Sequence, residues 1–266
     1  MDWWHLIDTS KVLVYVLVLT RISGLMIMAP ILHSTDAPVQ FRALLAFAFT
    51  LTMMPSQWFV HVVEPDTLPA FVIMIAAELF IGLAMGFGFY LLFTGVALAG
   101  ELIGHVGGLQ ASQIFDPVSG DQVPLMSRAY QYFAITIFAL IGGINVLVMS
   151  LLDTFVTIPI GTIGFQPHVV YAMVDILNVS FNLALRIAAP VLVATLISMF
   201  VMGLLGKTLP QLNLMSVGFG INSMLTLAVF GLTLGTGMWV FQEQIGGVFE
   251  VLFAGLHTTM DKGLLP

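Results

Sequence analysis

Long stretches without a charged side chain restrict the folds that are open to this chain. The longest runs for 35 residues, from Thr208 to Gln242, and five others of at least 20 residues precede it. Four of them are Ala43–Val63, Leu79–Gly100, Ala129–Leu152 and Ile187–Gly206, and the fifth, Thr154–Val174, is broken by Pro159 and Pro167. We expect Ala129–Leu152 to be one apolar segment. A helix of about 20 apolar residues crosses the hydrocarbon layer of a membrane. The pattern therefore predicts a membrane protein.

The composition supports this prediction and excludes several classes of function. Charged residues are 8% of the chain, against about 25% in a soluble domain. Seven basic and 14 acidic residues give a net charge of −7, and no basic patch could neutralise the phosphates of a nucleic acid. The chain has no cysteine, no catalytic signature and no histidine pair at metal-ligand spacing. We therefore predict no nucleic-acid partner, no cofactor, no metal and no enzymatic activity.

The predicted fold is all-α, with five to seven apolar helices in a single membrane-embedded unit over residues 1–266. Orientation in a membrane normally follows an excess of Lys and Arg on cytoplasmic loops. In this chain the seven basic residues are scattered singly, and two of them lie inside apolar segments. The sequence therefore predicts no topology, and helices that do not cross the bilayer in the ordinary way remain an open alternative.

Four ionisable residues lie well inside apolar segments: Arg21, Glu78, Asp175 and Arg186. Each costs about 2.5–3.5 kcal/mol at the centre of a membrane helix, so we expect all four to face protein or water and to find partners. One interpretation is a path for ions or protons. The other is that the charges fix the register of packed helices during assembly. We favour assembly, because no cluster of acidic residues and histidines forms a relay.

Glycines recur at intervals of four residues in the region of the third apolar stretch. The row contains Gly82, Gly86, Gly100, Gly104 and Gly108. Small residues at this spacing share one helix face and allow helices to approach closely. We predict tight packing at the first two positions. For the last three, tight packing and a looser, bendable segment are both compatible with the sequence.

The stretch from residue 104 to 124 is too polar to face lipid, although strongly apolar segments flank it. It mixes polar and apolar side chains, among them Leu109, Gln110, Ile114, Phe115 and Asp116, followed by Pro117. Irregular backbone at membrane depth is tolerated only where it is buried in protein or lines a wet cavity. The stretch therefore predicts a re-entrant gate or plug, and an ordinary exposed loop is the alternative.

A second class of function, a secondary transporter for a small solute, also fits part of the sequence. Two segments show a weak similarity to each other: Arg21-Ile22 precedes Ala29-Pro30, and Arg186-Ile187 precedes Ala189-Pro190. Paired broken helices mark the substrate site in many transporters, and charged residues inside the membrane often line it. A chain that purifies alone would favour this reading, whereas a mixed ring would favour a gate.

Several motifs along almost the whole chain resemble those of the FliR family of flagellar export-gate proteins and its homologues in injectisome type III secretion. They are Thr20-Arg21-Ile22 leading to Ala29-Pro30, Glu78 leading to Gly82 and Gly86, Gly107-Gly108-Leu109-Gln110 leading to Phe115-Asp116-Pro117, Gly142-Gly143 leading to Pro159, and Arg186 leading to Leu209-Pro210-Gln211-Leu212-Asn213. The resemblance rests on their order and spacing together.

The resemblance implies a structural and pore-forming subunit of the flagellar protein-export gate, with no enzymatic activity. It implies a FliP-like part over residues 1–165, with the pore loop at 104–124, followed by a FliQ-like helical hairpin over 166–266. The expected partners are FliP-like and FliQ-like subunits in a helical ring, other export-apparatus membrane proteins, membrane lipid and unfolded proteins in transit. The expected location is the bacterial inner membrane at the flagellar basal body. There the stretch Leu109–Gln122 would help to close the pore, and the helices would follow non-conventional paths.

Overall fold

The computed structural model of the chain describes residues 9–29, 38–57, 62, 65–109, 124–161, 167–208 and 214–257. These residues form seven helices: α1 (Thr9–Met28), α2 (Val39–Gln57), α3 (Leu68–Val106), α4 (Leu125–Leu140), α5 (Gly143–Thr157), α6 (Pro167–Thr208) and α7 (Leu214–His257). No strand occurs in this part of the chain. The predicted all-α class is confirmed.

Four helical stretches are long and apolar enough to cross a membrane. They are Ser10–Met28, Leu68–Val106, Val170–Thr208 and Gly218–Val248, and α4 together with α5 makes a fifth, broken candidate. Three of the four contain 31 to 39 residues, well beyond the about 20 that a crossing needs. Part of each long helix must therefore lie outside a hydrocarbon layer or run obliquely through it.

The uncharged run Ala129–Leu152, which we expected to be one apolar segment, is broken in the structure. Helix α4 ends at Leu140 and α5 begins at Gly143. Between them Gly142 adopts a left-handed backbone conformation with φ of 78°. Glycine reaches this conformation at little cost because it has no Cβ. The run is therefore one apolar segment made of two helices that meet at a bend of 70°, which a lack of charge does not report.

The chain divides into two compact units. Unit 1 comprises Met1–Leu91, Gly142–Ile176 and Val248–Pro266, and unit 2 comprises Leu92–Ile141 and Leu177–Gly247. One boundary falls between α4 and α5, and the other three fall inside α3, α6 and α7, which contain 39 to 44 residues and are longer than one core. Each unit draws residues from both sides of position 165, so the FliP-like and FliQ-like division at that position stays a prediction.

In unit 1 the core lies between α1 and α3, which approach backbone to backbone. A Cβ on Gly24 of α1 would lie 2.7 Å from the carbonyl oxygen of Leu79. On α3, a Cβ on Gly86 would lie 2.7 Å from the Cβ of Met28. Helix α2 packs beside α1, where the rings of Tyr15 and Phe47 meet edge to face. The absence of side chains at both glycines is what allows the close contact.

Aromatic side chains from three helices form the core of unit 2. The ring of Phe93 on α3 lies 5.3 Å from that of Phe138 on α4 and 5.5 Å from that of Phe241 on α7. All three are fully or almost fully buried. Both pairs are edge to face, the arrangement that the ring quadrupoles favour. Helix α6 joins this core through Ser180, whose backbone lies against Gly95 of α3.

Candidate functional site

Two of the four predicted charges form a buried ion pair in unit 1. Arg21 on α1 donates a hydrogen bond from Nε to Oε2 of Glu78 on α3, at 2.5 Å. The exposed fractions of the two side chains are 0% and 1%. An isolated charge at this depth would be far more costly than a paired one. Each of the two residues can therefore be buried because the other carries the opposite charge. The sequence placed both charges in apolar surroundings but did not show that they meet.

The same pair also closes the end of α5. Arg21 Nη1 donates to the carbonyl oxygens of Thr154 at 3.1 Å and Ile158 at 3.0 Å, while Glu78 Oε1 accepts from the N–H of Gly161 at 2.9 Å. The last carbonyls of a helix have no partner within it, and a cation near them is favourable. The Arg21 guanidinium also lies 4.5 Å from the ring centre of Phe155. The cluster thus joins α1, α3 and the loop that follows α5.

The geometry of this cluster supports a structural role more than proton transfer. Arg21 and Glu78 are the only buried charged side chains among the residues that the structure describes. No series of buried titratable groups leads away from them within that part of the chain. A proton relay would need such a series, whereas fixing the register of three helical segments needs only the contacts observed.

The other two predicted charges, Asp175 and Arg186, lie on the exposed surface of α6. We expected both to find partners on other helices or in other chains, and within this chain both side chains are exposed. Helix α6 contains 42 residues, and most of its apolar stretch is not covered by the rest of the chain. Among the described residues neither side chain forms a salt bridge. Their role in assembly stays a prediction.

The glycine row on α3 lies against two different neighbours. A Cβ on Gly82 would be placed on the carbonyl oxygen of Arg21, so α1 and α3 touch where the ion pair forms. A Cβ on Gly100 would lie 2.5 Å from the carbonyl oxygen of Met126, at the start of α4. Gly104 is buried, and α3 continues through it without interruption to Val106. The two alternatives for this region were tight packing and a bendable segment. In the structure Gly100 is closely packed and lies inside a continuous helix.

The end of α3 is a Schellman motif, the hydrogen-bonded turn that closes many helices. Gly108 has φ of 75°, its N–H donates to His105 O at 3.3 Å, and the N–H of Leu109 donates to Gly104 O at 3.1 Å. These are the two bonds that define the motif, and glycine is the residue that takes its left-handed position most easily. The motif fixes the direction in which the chain enters the predicted pore loop.

Helix α7 holds this turn from the side. Asn222 Nδ2 donates to the carbonyl oxygen of Val106 at 2.9 Å, and Ser223 Oγ donates to that of Gly107 at 3.3 Å. Thr226, one turn further on, packs so closely on Gly107 that a Cβ there would lie 2.6 Å from its side chain. These residues were not predicted from the sequence, where their only mark is an Asn-Ser pair within the longest uncharged run.

An open cavity of about 330 Å³ lies beside the turn in unit 2. Its lining includes His105, Gly108, Met199, Met202, Phe219 and Asn222. The walls are mainly apolar, and the described residues contain no group of three acidic, histidine or cysteine side chains that could hold a metal ion. His105 is exposed on the last turn of α3 and lies 3.7 Å from Glu101. The cavity therefore leaves open space beside the turn, and its described lining provides no set of metal-ligating side chains.

The predicted plug lies mostly beyond the described residues. Gln110, Ile114, Phe115, Asp116 and Pro117 fall outside them, and Leu109, which is half-buried, is the last residue described before the gap. The structure thus defines how the predicted pore loop begins and where α4 resumes the chain at Leu125.

The fold and this site define a class of protein: a helical membrane protein whose polar side chains join helices and anchor a loop. A model of the family described as bacterial export proteins, family 1, matches residues 12–248. The chain is 30% identical over 205 residues to the flagellar biosynthetic protein FliR of Escherichia coli (strain K12), with 76% of each chain covered. It therefore belongs to this family of bacterial export proteins.

Two further relatives show the range of the family. The flagellar biosynthetic protein FliR of Pectobacterium carotovorum subsp. carotovorum is 27% identical over 232 residues, 87% of this chain and 88% of the relative. The surface presentation of antigens protein SpaR of Shigella sonnei is 25% identical over 153 residues, 57% of this chain and 59% of the relative. The resemblance to the FliR family that the motifs indicated is confirmed.

Proposed function

We propose that this protein is a structural subunit of a flagellar type III export gate, in which it helps to form the channel and its segment 109–122 plugs it. The observation that carries the proposal is the anchored turn at the end of α3. Side chains of α7 hold the backbone of Val106 and Gly107 where the polar segment begins. A plug needs a fixed attachment point, whereas an ordinary surface loop does not.

The proposed partners are FliP-like and FliQ-like subunits in a helical ring, together with other membrane proteins of the export apparatus. Many large apolar side chains remain exposed on the long helices, for example Phe181 and Phe200 on α6 and Met224 and Leu232 on α7. Such surface must be covered by lipid or by protein. Relatives are named for flagellar biosynthesis, so we place the subunit in the bacterial inner membrane at the flagellar basal body.

The secondary-transporter alternative now has less support. Arg21 and Glu78 form a buried ion pair with each other, while Asp175 and Arg186 are exposed on α6. The four charges therefore do not line one binding site. We also propose that the protein has no enzymatic activity, in keeping with a family described only as export proteins.

Deletion of residues 109–122 tests the plug. We expect cells that carry the deletion to leak ions and small molecules, because the assembled channel would lack its closure. The measurement is uptake of a small impermeant dye and loss of membrane potential, compared with cells that carry the unaltered chain at the same level. The chain that lacks residues 109–122 must copurify with its partners at normal yield, so that leakage reports on the missing plug and not on failed assembly. Unchanged permeability with normal assembly would remove the plug role.

Purification of the tagged full-length chain in mild detergent tests the assembly. The proposal requires a mixed complex that contains other membrane subunits of the export apparatus. A lone monomer or a homodimer with transport activity for a small solute would instead establish the transporter.

A further inference from the structure

Helix α6 carries two parallel rows of exposed side chains in unit 2. The apolar row is Leu177, Phe181 and Leu185, and the polar row, one residue further on at each step, is Asn178, Asn182 and Arg186. Residues four apart lie on the same side of a helix, so the rows run side by side along it. Leu183 and Ala184 on the other side of the helix are buried in the unit. We call these six exposed residues the two-row face.

Neither lipid nor water is a good neighbour for the two-row face. If this part of α6 lies within the bilayer, the polar row faces hydrocarbon, which is costly above all for Arg186. If it lies outside the bilayer, the apolar row faces water, and Phe181 and Leu185 are 58% and 57% exposed. Protein interfaces, by contrast, favour arginine beside large apolar and aromatic side chains.

The polar row presents unused hydrogen-bond donors. Among the residues that the structure describes, Arg186 makes no hydrogen bond and no salt bridge, and Asn182 Nδ2 bonds only to the carbonyl oxygen of Asn178 on its own helix, at 2.8 Å. Asp175, the nearest acidic residue along α6, is eleven residues from Arg186, or roughly 16 Å along a helix. A carboxylate accepts two parallel bonds from a guanidinium. Among the residues that the structure describes, no acidic side chain meets Arg186, and an acidic side chain of another subunit would supply such a partner.

We infer that the two-row face binds a helix of another subunit of the gate, and that this helix carries an Asp or Glu opposite Arg186 and small or apolar side chains against the apolar row. The inference rests on the proposed function, because it requires a hetero-oligomeric assembly. Beyond the proposed function, the inference specifies the contact face on α6 and the chemistry of the partner helix.

Photo-crosslinking in the assembled complex tests the contact. A benzophenone amino acid replaces Phe181 in the tagged full-length chain, and the crosslinked peptide is identified by mass spectrometry after purification in mild detergent. We expect a peptide of a different polypeptide with an acidic residue within about one helical turn of the crosslink. The same probe at Lys207, which is exposed on α6 but lies outside the two-row face, serves as the control for non-specific capture. Crosslinks only to lipid, only to a second copy of this chain, or to a helix without an acidic residue would overturn the inference.

Charge reversal then tests the pairing. Arg186→Glu should lower the yield of the mixed complex by about thirtyfold, because two like charges would meet in the interface. Reversing the partner's acidic residue to Arg should restore that yield. Lys207→Glu is the matched control, since Lys207 is also an exposed base on α6 but lies outside the two-row face. We expect it to leave the yield unchanged.

The two proposals fail in different ways. If Arg186→Glu assembles at the normal yield, the two-row face does not bind an acidic helix, although the subunit still belongs to a mixed complex. If the unaltered chain purifies alone, the proposed function and the inference fall together. Thermal unfolding of each purified variant shows whether a loss of yield reflects misfolding, which would also count against the pairing.

Discussion

Arg21 and Glu78 meet across 57 positions of sequence in a buried ion pair, with Nε and Oε2 2.5 Å apart. The remaining bonds of the pair extend to the backbone at the end of α5 and in the loop after it. One contact between two side chains thus fixes three segments of unit 1.

Removing either member of this pair should be strongly destabilising. Arg21→Met leaves the carboxylate of Glu78 buried without its cation, and Glu78→Leu leaves the guanidinium without its anion; each change should cost about 3–5 kcal/mol. The measurement is the unfolding midpoint of the purified chain in mild detergent. The double variant should recover only part of the loss, because the N–H of Gly161 and the carbonyl oxygen of Ile158 lose the partners that Glu78 and Arg21 supplied. Single variants as stable as the parent would contradict this account.

Gly82→Ala should separate α1 from α3. Its new Cβ would meet the backbone carbonyl of Arg21, which cannot move aside as a flexible side chain can, and overpacking of this kind typically costs about 1–3 kcal/mol. Gly231→Ala on α7 is the matched control, because a Cβ there meets nothing within 4 Å. The control should gain up to about 1 kcal/mol from higher helix propensity. The prediction fails if both variants shift the unfolding midpoint in the same direction.

Gly108→Val should loosen the turn that leads into the predicted plug. A β-branched residue is strained at φ of 75°, by roughly 1–2 kcal/mol, and its Cβ would also lie 3.0 Å from the ring of Phe219. Hydrogen exchange of the backbone amides at positions 108 and 109 should accelerate in the variant, since both amides donate bonds in this motif. Gly108→Asn is the milder companion variant, because asparagine tolerates the left-handed region. Equal exchange rates in the valine variant and the parent would show that the motif does not depend on glycine.

Tyr130→Phe should preserve or increase stability. The side chain is fully buried, and its hydroxyl has no hydrogen-bond partner among the described residues. Burying an unpaired hydroxyl costs about 1–3 kcal/mol, while the edge-to-face contact of the ring with Phe230 would remain. Tyr132→Phe, at an exposed position on the same helix, should leave the unfolding midpoint unchanged. A large loss of stability in the Tyr130 variant would show that the hydroxyl makes a stabilising bond and would overturn the prediction.

Much of the fold could be predicted from the pattern of charges along the chain. Uncharged runs located the long helices, because a bilayer admits so few charged side chains that their absence marks a membrane helix. The same pattern missed the break at Gly142, since the backbone turns there without any polar residue. It also placed Asp175 and Arg186 inside apolar segments without showing that they lie on the outer surface of α6.

The candidate site was less predictable because its contacts join distant parts of the chain. The glycines at positions 82 and 86 indicated a close helix approach but not the helix that approaches them. Asn222 and Ser223 gave almost no signal, since two polar residues in an apolar run are common in membrane helices.

The amino-acid sequence was enough to establish a membrane-embedded helical protein of the export family. Hydropathy and motif spacing depend only on the order of residues along the chain. Which charges are paired, which are exposed, and which side chains hold the turn at Gly108 depended on the folded chain. The physical reason is that an ion pair such as Arg21–Glu78 forms where two helices cross, and a crossing is set by packing over many residues.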